Sequence, residues 1–490
     1  MKHFKNIMRS IVFLSILVSS LLMINQVLVP KFVTKNSTWP TTSSFAQFYK
    51  MEKDSIDVLF LGSSVVVNAI IPQEIYNEYG IRCYNLGSEQ QSIYLSYYWL
   101  KEALRYQKPK AVVLDLKFMF DLHPEDVINT TEGITRKSLD PMKWSSVKRE
   151  AVHNLCEMDE SQSELSYYLT NLRFHSRWSE LQEYDINDSM VDTSMLKGFA
   201  PITAKGPDSY VTYDQNDKNI TMEFVPLMQE YLDRIVRLCK EKNIQLILID
   251  LPGYTMNDAI NNTHSAYAAK HDIEYYNLYS TEYYKQIGAE LPEESVIEHE
   301  NIWGAIKTSR FIGEILRDKY EIESVYDEQY ETTKSYYEQT KRSSDLVRIT
   351  DQIEYMNALN SPNYAVFMAA HGSASAVFDI KEVKNGLSNI GLKCKFTDAP
   401  ENSYIAAIIG GEVVAEESSE NRLDYFGSFR NRHSIYNLQS SGKNFEAYSS
   451  IIVEGGQYSR AEAGLNIAVY DLNTYKVIDK VTFQGRDLLR

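Results

Sequence analysis

Gly62-Ser63-Ser64 closes an apolar run, residues 56–61 (IDVLFL), that reads as a buried β-strand. A hydroxyl at that point lies at the carboxyl edge of a parallel sheet, where open α/β folds bind their ligands. A helix starting there offers backbone N–H groups and a positive dipole end to a developing oxyanion. Nucleophilic acyl transfer is the chemistry such a hydroxyl can do once a base takes its proton. The same tripeptide also fits a plain strand-to-helix turn with a capping serine, and alone it does not choose between the two. Of the nine histidines, His299 is the one whose neighbours favour function. His175, beside Arg177 and Trp178, reads either as lining a cleft or as packing a loop. His264 and His271 fall on a stretch read as a surface helix and are expected to be solvated. The four cysteines, 83, 156, 239 and 394, show no CxxC and no Cys/His spacing. A zinc site is therefore not expected, no other metal or cofactor is called for, and buried free thiols are the plainer reading.

Short apolar runs alternate with helical stretches over the region that must hold these groups. Residues 56–61, 81–86, 111–114 and 246–249 read as strands. Ile93, Tyr97, Leu100 and Leu104 follow helical spacing, and so do Leu227, Met228, Tyr231, Leu232, Ile235, Val236 and Cys239. Strands separated by helices predict an α/β domain over 51–320, a parallel sheet covered on both faces. Residues 321–347, rich in Tyr, Glu, Lys and Ser, read as a connecting helix or linker. From 348 to 490 the segments are short and β-rich, with Gly410-Gly411 as a hairpin turn and one helix around 380–390, so a second domain of α+β type is expected.

Several blocks in order carry a resemblance. Leu59-Phe-Leu-Gly-Ser-Ser64, Tyr84-Asn-Leu-Gly-Ser88 with Gln91-Ser92, and Lys108-Pro-Lys-Ala-Val-Val-Leu-Asp115 come first. Phe174-His-Ser-Arg-Trp178 follows, then His299-Glu-Asn-Ile-Trp-Gly-Ala305 with Lys307. Together these resemble the SGNH/GDSL-like proteins over nearly all of 51–320. The nearest branch is that of the membrane-anchored DltD teichoic-acid D-alanylation and alginate O-acetylation proteins. The resemblance implies a three-layer fold with Ser64 as nucleophile and His299 as its base. The backbone N–H groups of Ser64 and Gly87 would hold the oxyanion, with Gln91, His175 and Arg177 facing substrate. It also implies a bacterial, Gram-positive origin and a membrane-bound O-acyltransferase as partner. The chain departs from the pattern in four places. Val296 stands where the family has the acid three residues before the histidine, although Glu293, Glu294, Glu298 and Glu300 are close in sequence. Gln90 replaces the second-block glycine, Val65 follows the nucleophile, and Asp115-Leu-Lys117 lacks the asparagine of the ordinary oxyanion hole. Two functions are thus expected. One is an acyl transferase or esterase acting on a cell-envelope polysaccharide or teichoic acid; the other is a catalytically inactive scaffold or glycan-binding protein of the same fold.

Whole-chain properties limit partner and place. With 50 Lys+Arg against 66 Asp+Glu the net charge is −16, which argues against nucleic acid. Lys2, Lys5 and Arg9 precede an apolar run over 11–29, ended by Pro30. That pattern predicts a single-pass anchor over 1–30 with everything beyond it outside the cell membrane. A cleaved signal peptide is the rival, though no A-x-A-like site is seen. Residues 31–50 read as a Ser/Thr-rich tether.

The C-terminal part carries its own resemblance. Residues 349–355, 363–370 and 372–375, and above all 464–471 with 476–483, look like an ILEI/PANDER-type domain. A similar fold forms the stem of an O-mannose N-acetylglucosaminyltransferase, where it acts in sugar binding. The resemblance implies glycan binding, with a spacer or dimerisation role as the alternative; only Cys394 is present where vertebrate members have disulfides.

Overall fold

The computed structural model describes residues 2–30, 41–120, 132–181, 183–186, 194–206, 212–252, 256–291, 293–296, 299–395 and 399–490. Glu298, one of the acids close to His299 in sequence, lies outside them, as does 31–40 of the expected tether. The chain divides into two compact units, Met1–Lys334 and Ser335–Arg490.

The first unit is built on five parallel strands: β1 (Val58–Gly62), β2 (Cys83–Gly87), β3 (Ala111–Asp115), β4 (Gln245–Asp250) and β5 (Glu274–Asn277). Their order is β2-β1-β3-β4-β5. Apolar runs without alternation suit a sheet buried on both faces, and period-two geometry then sorts them. Leu59, Leu61, Val112, Leu114 and Leu248 join one core with the helices Ile93–Ala103 and Pro226–Lys242. Val58, Phe60, Val113, Ile247 and Ile249 join the other, against the helix Ile302–Asp318. The four strands read from sequence are present, each within two residues of its expected ends. β5 was not among them, because EYYN carries no apolar run. A short antiparallel pair, β6 (Ser295–Val296) and β7 (His299–Glu300), stands apart from this sheet.

Two N-terminal helices complete the unit. Lys2–Leu28 is one continuous helix, and its stretch Phe4–Asn25 is long and apolar enough to cross a membrane, as an anchor or a signal sequence would be. The end of the expected tether is instead a helix, Thr41–Phe48. Its two aromatic residues explain the difference: Phe45 and Phe48 are fully buried, and the Phe45 ring stacks on Trp99 with centroids 4.1 Å apart.

Between Tyr320 and Arg348 the chain forms the helix Glu328–Leu346. The second unit then forms a ten-stranded sheet around β8 (Tyr364–His371), with β9 (Ser403–Ile409) and β15 (Gly464–Asp471) antiparallel to it. β9 turns through Gly410-Gly411 into β10 (Glu412–Ser419); both glycines have positive φ, as a two-residue hairpin turn requires. β11 (Leu423–Phe429), β12 (Ser434–Ser441), β13 (Tyr448–Val453) and β14 (Gly456–Gln457) extend one side, and β16 (Lys476–Gln484) and β17 (Asp487–Leu489) the other. Alternation along β8 again divides the core. Val366, Met368 and Ala370 face a cluster with the helices Gln352–Ala358 and Lys381–Asn389, while Phe367 faces Phe429 and Tyr436.

Candidate active site

Gly62 ends β1 because nothing larger fits there. A Cβ on it would lie 2.6 Å from Val66 Cγ2 and 2.9 Å from the Cβ of Asp115. The chain turns at Ser63 and enters a six-residue helix, Ser64–Ala69, in which every residue is buried. Ser63 holds the N-cap position, yet its side chain makes no capping bond and its buried Oγ has no partner. The capping-serine reading of Gly-Ser-Ser is therefore not what this turn shows. Ser64 is the first helical residue, so the first backbone N–H groups of that helix have no intrahelical acceptor.

Other elements fix this short helix from several sides. Asn68 Nδ2 donates to Ala200 O (2.7 Å), and Ala200 N donates to Val67 O (2.9 Å). Asn85 Nδ2 donates to Ile70 O (2.8 Å), and Ser309 Oγ accepts from Ile71 N (2.8 Å). Gly198 lets the segment from Leu196 to Ala200 approach this closely: its φ is +89°, and a Cβ would fall 2.3 Å from Asn85 O. Gly87 is in register with Gly62 at the end of β2, where a Cβ would lie 2.9 Å from Gly62 O.

His299 arrives from the far end of the unit. β6 and β7 pair Val296 with His299 and Ser295 with Glu300. The next residue, Asn301, caps the helix Ile302–Asp318 by accepting from Gly304 N (3.2 Å). Its amide also donates to Glu293 O (2.7 Å) and Ala204 O (3.2 Å), which ties the strand pair to the helix start. The result places His299 Nε2 3.0 Å from Ser64 Oγ, hydrogen-bonding distance across 235 residues of sequence. A serine hydroxyl with an imidazole nitrogen at this range can pass its proton as it attacks a carbonyl.

The carboxylates near His299 in sequence have distinct partners. Glu293 pairs with Lys205 (3.1 Å) and Glu294 with Lys307 (2.8 Å). Glu300 is buried and accepts from Thr308 Oγ1 (2.8 Å), while its Oε2 has no hydrogen-bond partner. Burial pushes its carboxyl up to about 8 against the Thr308 bond, and Glu294 adds to the rise. Val296, at the position of the expected acid, is the backbone partner opposite His299 in the two-residue ladder.

The remaining sequence candidates, Gln91, His175 and Arg177, lie in different surroundings. Gln91 is 2 % exposed: its Nε2 donates to Leu86 O (2.9 Å) and Ser96 Oγ (3.2 Å), and its Oε1 accepts from Ser88 Oγ (3.2 Å). It braces the loop after β2. Arg177 Nη2 donates to both carboxylate oxygens of Asp185 (3.0 and 3.1 Å), and its Nη1 donates to Leu28 O (2.6 Å), at the end of the N-terminal helix. His175 is exposed in the same segment, its Nδ1 3.2 Å from Leu172 O.

Two histidines expected to be solvated are not. His264 is fully buried, its Nδ1 2.7 Å from Asp250 Oδ2 and its ring stacked beside Phe120 and Phe224. Asp250 also accepts from the Tyr275 hydroxyl. His271 is half-buried against the Tyr267 ring, 4.4 Å between centroids, and burial lowers its pKa. Asp115 stands next to this group, at the end of β3 and against Gly62; burial, with Asp250 nearby, pushes its carboxyl up to about 7. Sequence reasoning missed this buried acidic cluster. Its signal was an aspartate ending each of two apolar strands, AVVLD and LILID. All four cysteines are free thiols, and among the described residues no group of His, Cys, Asp and Glu is placed to hold a metal.

The fold and site thus define a mixed α/β protein with a serine–histidine pair at the carboxyl edge of a five-stranded parallel sheet. No protein-family profile matches the chain, and no curated protein is significantly similar to it.

Proposed function

We propose that the chain is a membrane-anchored, outward-facing SGNH-like acyl transferase or esterase that acts on a cell-envelope polysaccharide. The observation that carries this reading is the 3.0 Å approach of His299 Nε2 to Ser64 Oγ. Ser64 Oγ attacks the acyl carbonyl while His299 takes its proton, and backbone N–H groups of Ser64 and Gly87 receive the oxyanion. His299 then returns the proton to the departing alcohol, leaving an acyl-serine. A polymer hydroxyl or water attacks that ester, His299 takes the incoming proton, and Ser64 regains it.

A cleft elsewhere in the first unit supports a sugar polymer as substrate. It has a volume of about 300 Å³ and lies where β5 ends, walled by Tyr213, Gln215, Asn261, Tyr275, Asn277 and Tyr283. Rings, amides and hydroxyls suit pyranose faces and their hydroxyl groups. Its described walls also carry Asp214 and Glu282 and hold no Lys or Arg, which disfavours a phosphate-bearing teichoic acid relative to a neutral polysaccharide. β5 is three strands from β1, so the cleft is ~14 Å along the edge from Ser64 at ~4.8 Å per strand, a reach suited to a polymer.

An uncleaved anchor is favoured over a signal peptide because Leu28 is 1 % exposed, buried among the residues that follow. The partner implied by the resemblance is a membrane-bound O-acyltransferase that delivers the acyl group, in a Gram-positive bacterium. The ILEI/PANDER-like second unit is read as a glycan-binding module. Val296 is the observation that favours the second reading, a scaffold of the same fold without catalysis, since it cannot orient or stabilise an imidazolium.

One experiment separates the two. The full-length protein in detergent is treated with a fluorophosphonate and weighed intact, beside Ser64→Ala and His299→Ala. A stoichiometric adduct lost in both variants is the expected result; no adduct on folded protein selects the scaffold.

A further inference from the structure

The C-terminal end of the apolar helix Lys2–Leu28 is built into the first unit. Asn25 Oδ1 accepts from Asn171 N (3.0 Å), Leu28 O accepts from Arg177, and the helix end packs on Asn171–Phe174, His175–Ser179 and Glu183–Ile186. Just here the surface turns apolar. Leu165, Leu169, Leu172, Trp178 and Ile186 are each at least half exposed, from 50 % to 72 %. Leu165 lies in the short helix Glu164–Tyr168, Leu169 ends it, and Leu172 lies in the next, Asn171–Phe174, which packs against the first. Isolated exposed apolar side chains are ordinary, but five large ones within 22 residues form a patch that needs a partner.

The cations of the segment are already neutralised. Arg173 pairs with Glu132 (2.8 Å) and Arg177 with Asp185 (3.0 Å), so the patch is not held to a surface by free positive charge. What adjoins it decides the occupant. A helix that crosses a bilayer and ends inside this segment carries the surrounding side chains to the level where lipid meets water. Trp settles at that level and Leu on its acyl side, with paired or snorkelling Arg at the rim.

We propose that this patch is a lipid-contacting apron, in which Leu165, Leu169, Leu172, Trp178 and Ile186 enter the outer-leaflet interface around the end of the N-terminal helix. The proposal rests on the anchor reading and adds to it a second, non-spanning membrane contact. Such a contact fixes the first unit's tilt on the bilayer, where a helix on a flexible tether would leave it free.

Site-directed spin labelling tests this on the full chain in phosphatidylethanolamine/phosphatidylglycerol vesicles. The background is Cys156→Ser, because the other three cysteines are buried. Labels go to Leu169→Cys and Leu172→Cys, with Ile16→Cys as the lipid reference and Tyr326→Cys, 80 % exposed in the wild type, as the aqueous one. The expected result is an oxygen-to-nickel-chelate accessibility ratio at 169 and 172 several-fold above that at 326. If the chain floats with the vesicles and the label at 16 is in lipid, but 169 and 172 match 326, the apron is overturned and the anchor stands. A protein partner then becomes the occupant. If the chain does not float, anchor and apron fall together.

Discussion

Glu300 is a carboxylic acid held neutral one residue from the candidate base. Burial raises it to about 8, and its single hydrogen bond, from Thr308, does not offset that cost. A carboxyl raised from its ordinary ~4.3 is protonated in the folded chain and ionised in the unfolded chain between those two values. Its contribution to stability is therefore fully present below about pH 4.3 and is lost as pH rises through about 8. Glu300→Gln keeps the shape without the titration. The variant is expected to gain progressively on the wild type in melting temperature as pH rises from 5 to 8, with the largest difference at the upper end. A scanning calorimetry series checks this, and a gain that is flat with pH would refute it. The residue scale is also where the sequence was least explicit. Ser64 and His299 were legible as candidates, but the burial of His264 and Glu300 was not, because burial comes from elements that meet only in three dimensions.

Among elements, the helix Ile302–Asp318 has the most to do with the site. Its cap residue, Asn301, follows His299 by two positions and joins the helix start to Glu293 and Ala204. Asn301→Ala is expected to cost at least ~1 kcal/mol, the usual price of a lost cap, and to slow fluorophosphonate labelling of Ser64 by displacing β7. Asn301→Asp keeps the capping acceptor but loses both donated bonds. It should restore part of the stability and less of the labelling rate; equal recovery of both would show that the cap alone matters. Strands with unbroken apolar runs were legible as elements because burial on both faces needs no other pattern. β5 was missed and the helix Thr41–Phe48 read as tether because each is short and mostly polar: β5 is held by its backbone ladder to β4, and the helix by Phe45 and Phe48.

At the scale of the whole molecule, two units with separate cores predict separable damage. Phe367 is fully buried in the second unit, its ring 4.6 Å from that of Tyr436 and 5.6 Å from that of Phe429. Phe367→Ala should cost that unit ~3–5 kcal/mol. Hydrogen exchange should quicken in β8 and β12, while β1 and β3 keep wild-type protection and Ser64 its labelling; faster exchange in β1 would refute separate cores. The division into an α/β and a β-rich part was legible from the change of period along the chain, since helices and strands repeat their apolar residues differently. The 235-position separation of Ser64 and His299 also orders events in time. Synthesis proceeds from the N-terminus at about 5–20 residues per second, so the base follows the nucleophile by roughly 10–50 s. Until then Ser64 has no imidazole within reach, because the pair forms only when the first unit is nearly whole. Under the proposed acyl-transfer function, that late arrival of His299 would keep Ser64 an ordinary alcohol while the protein is unfinished.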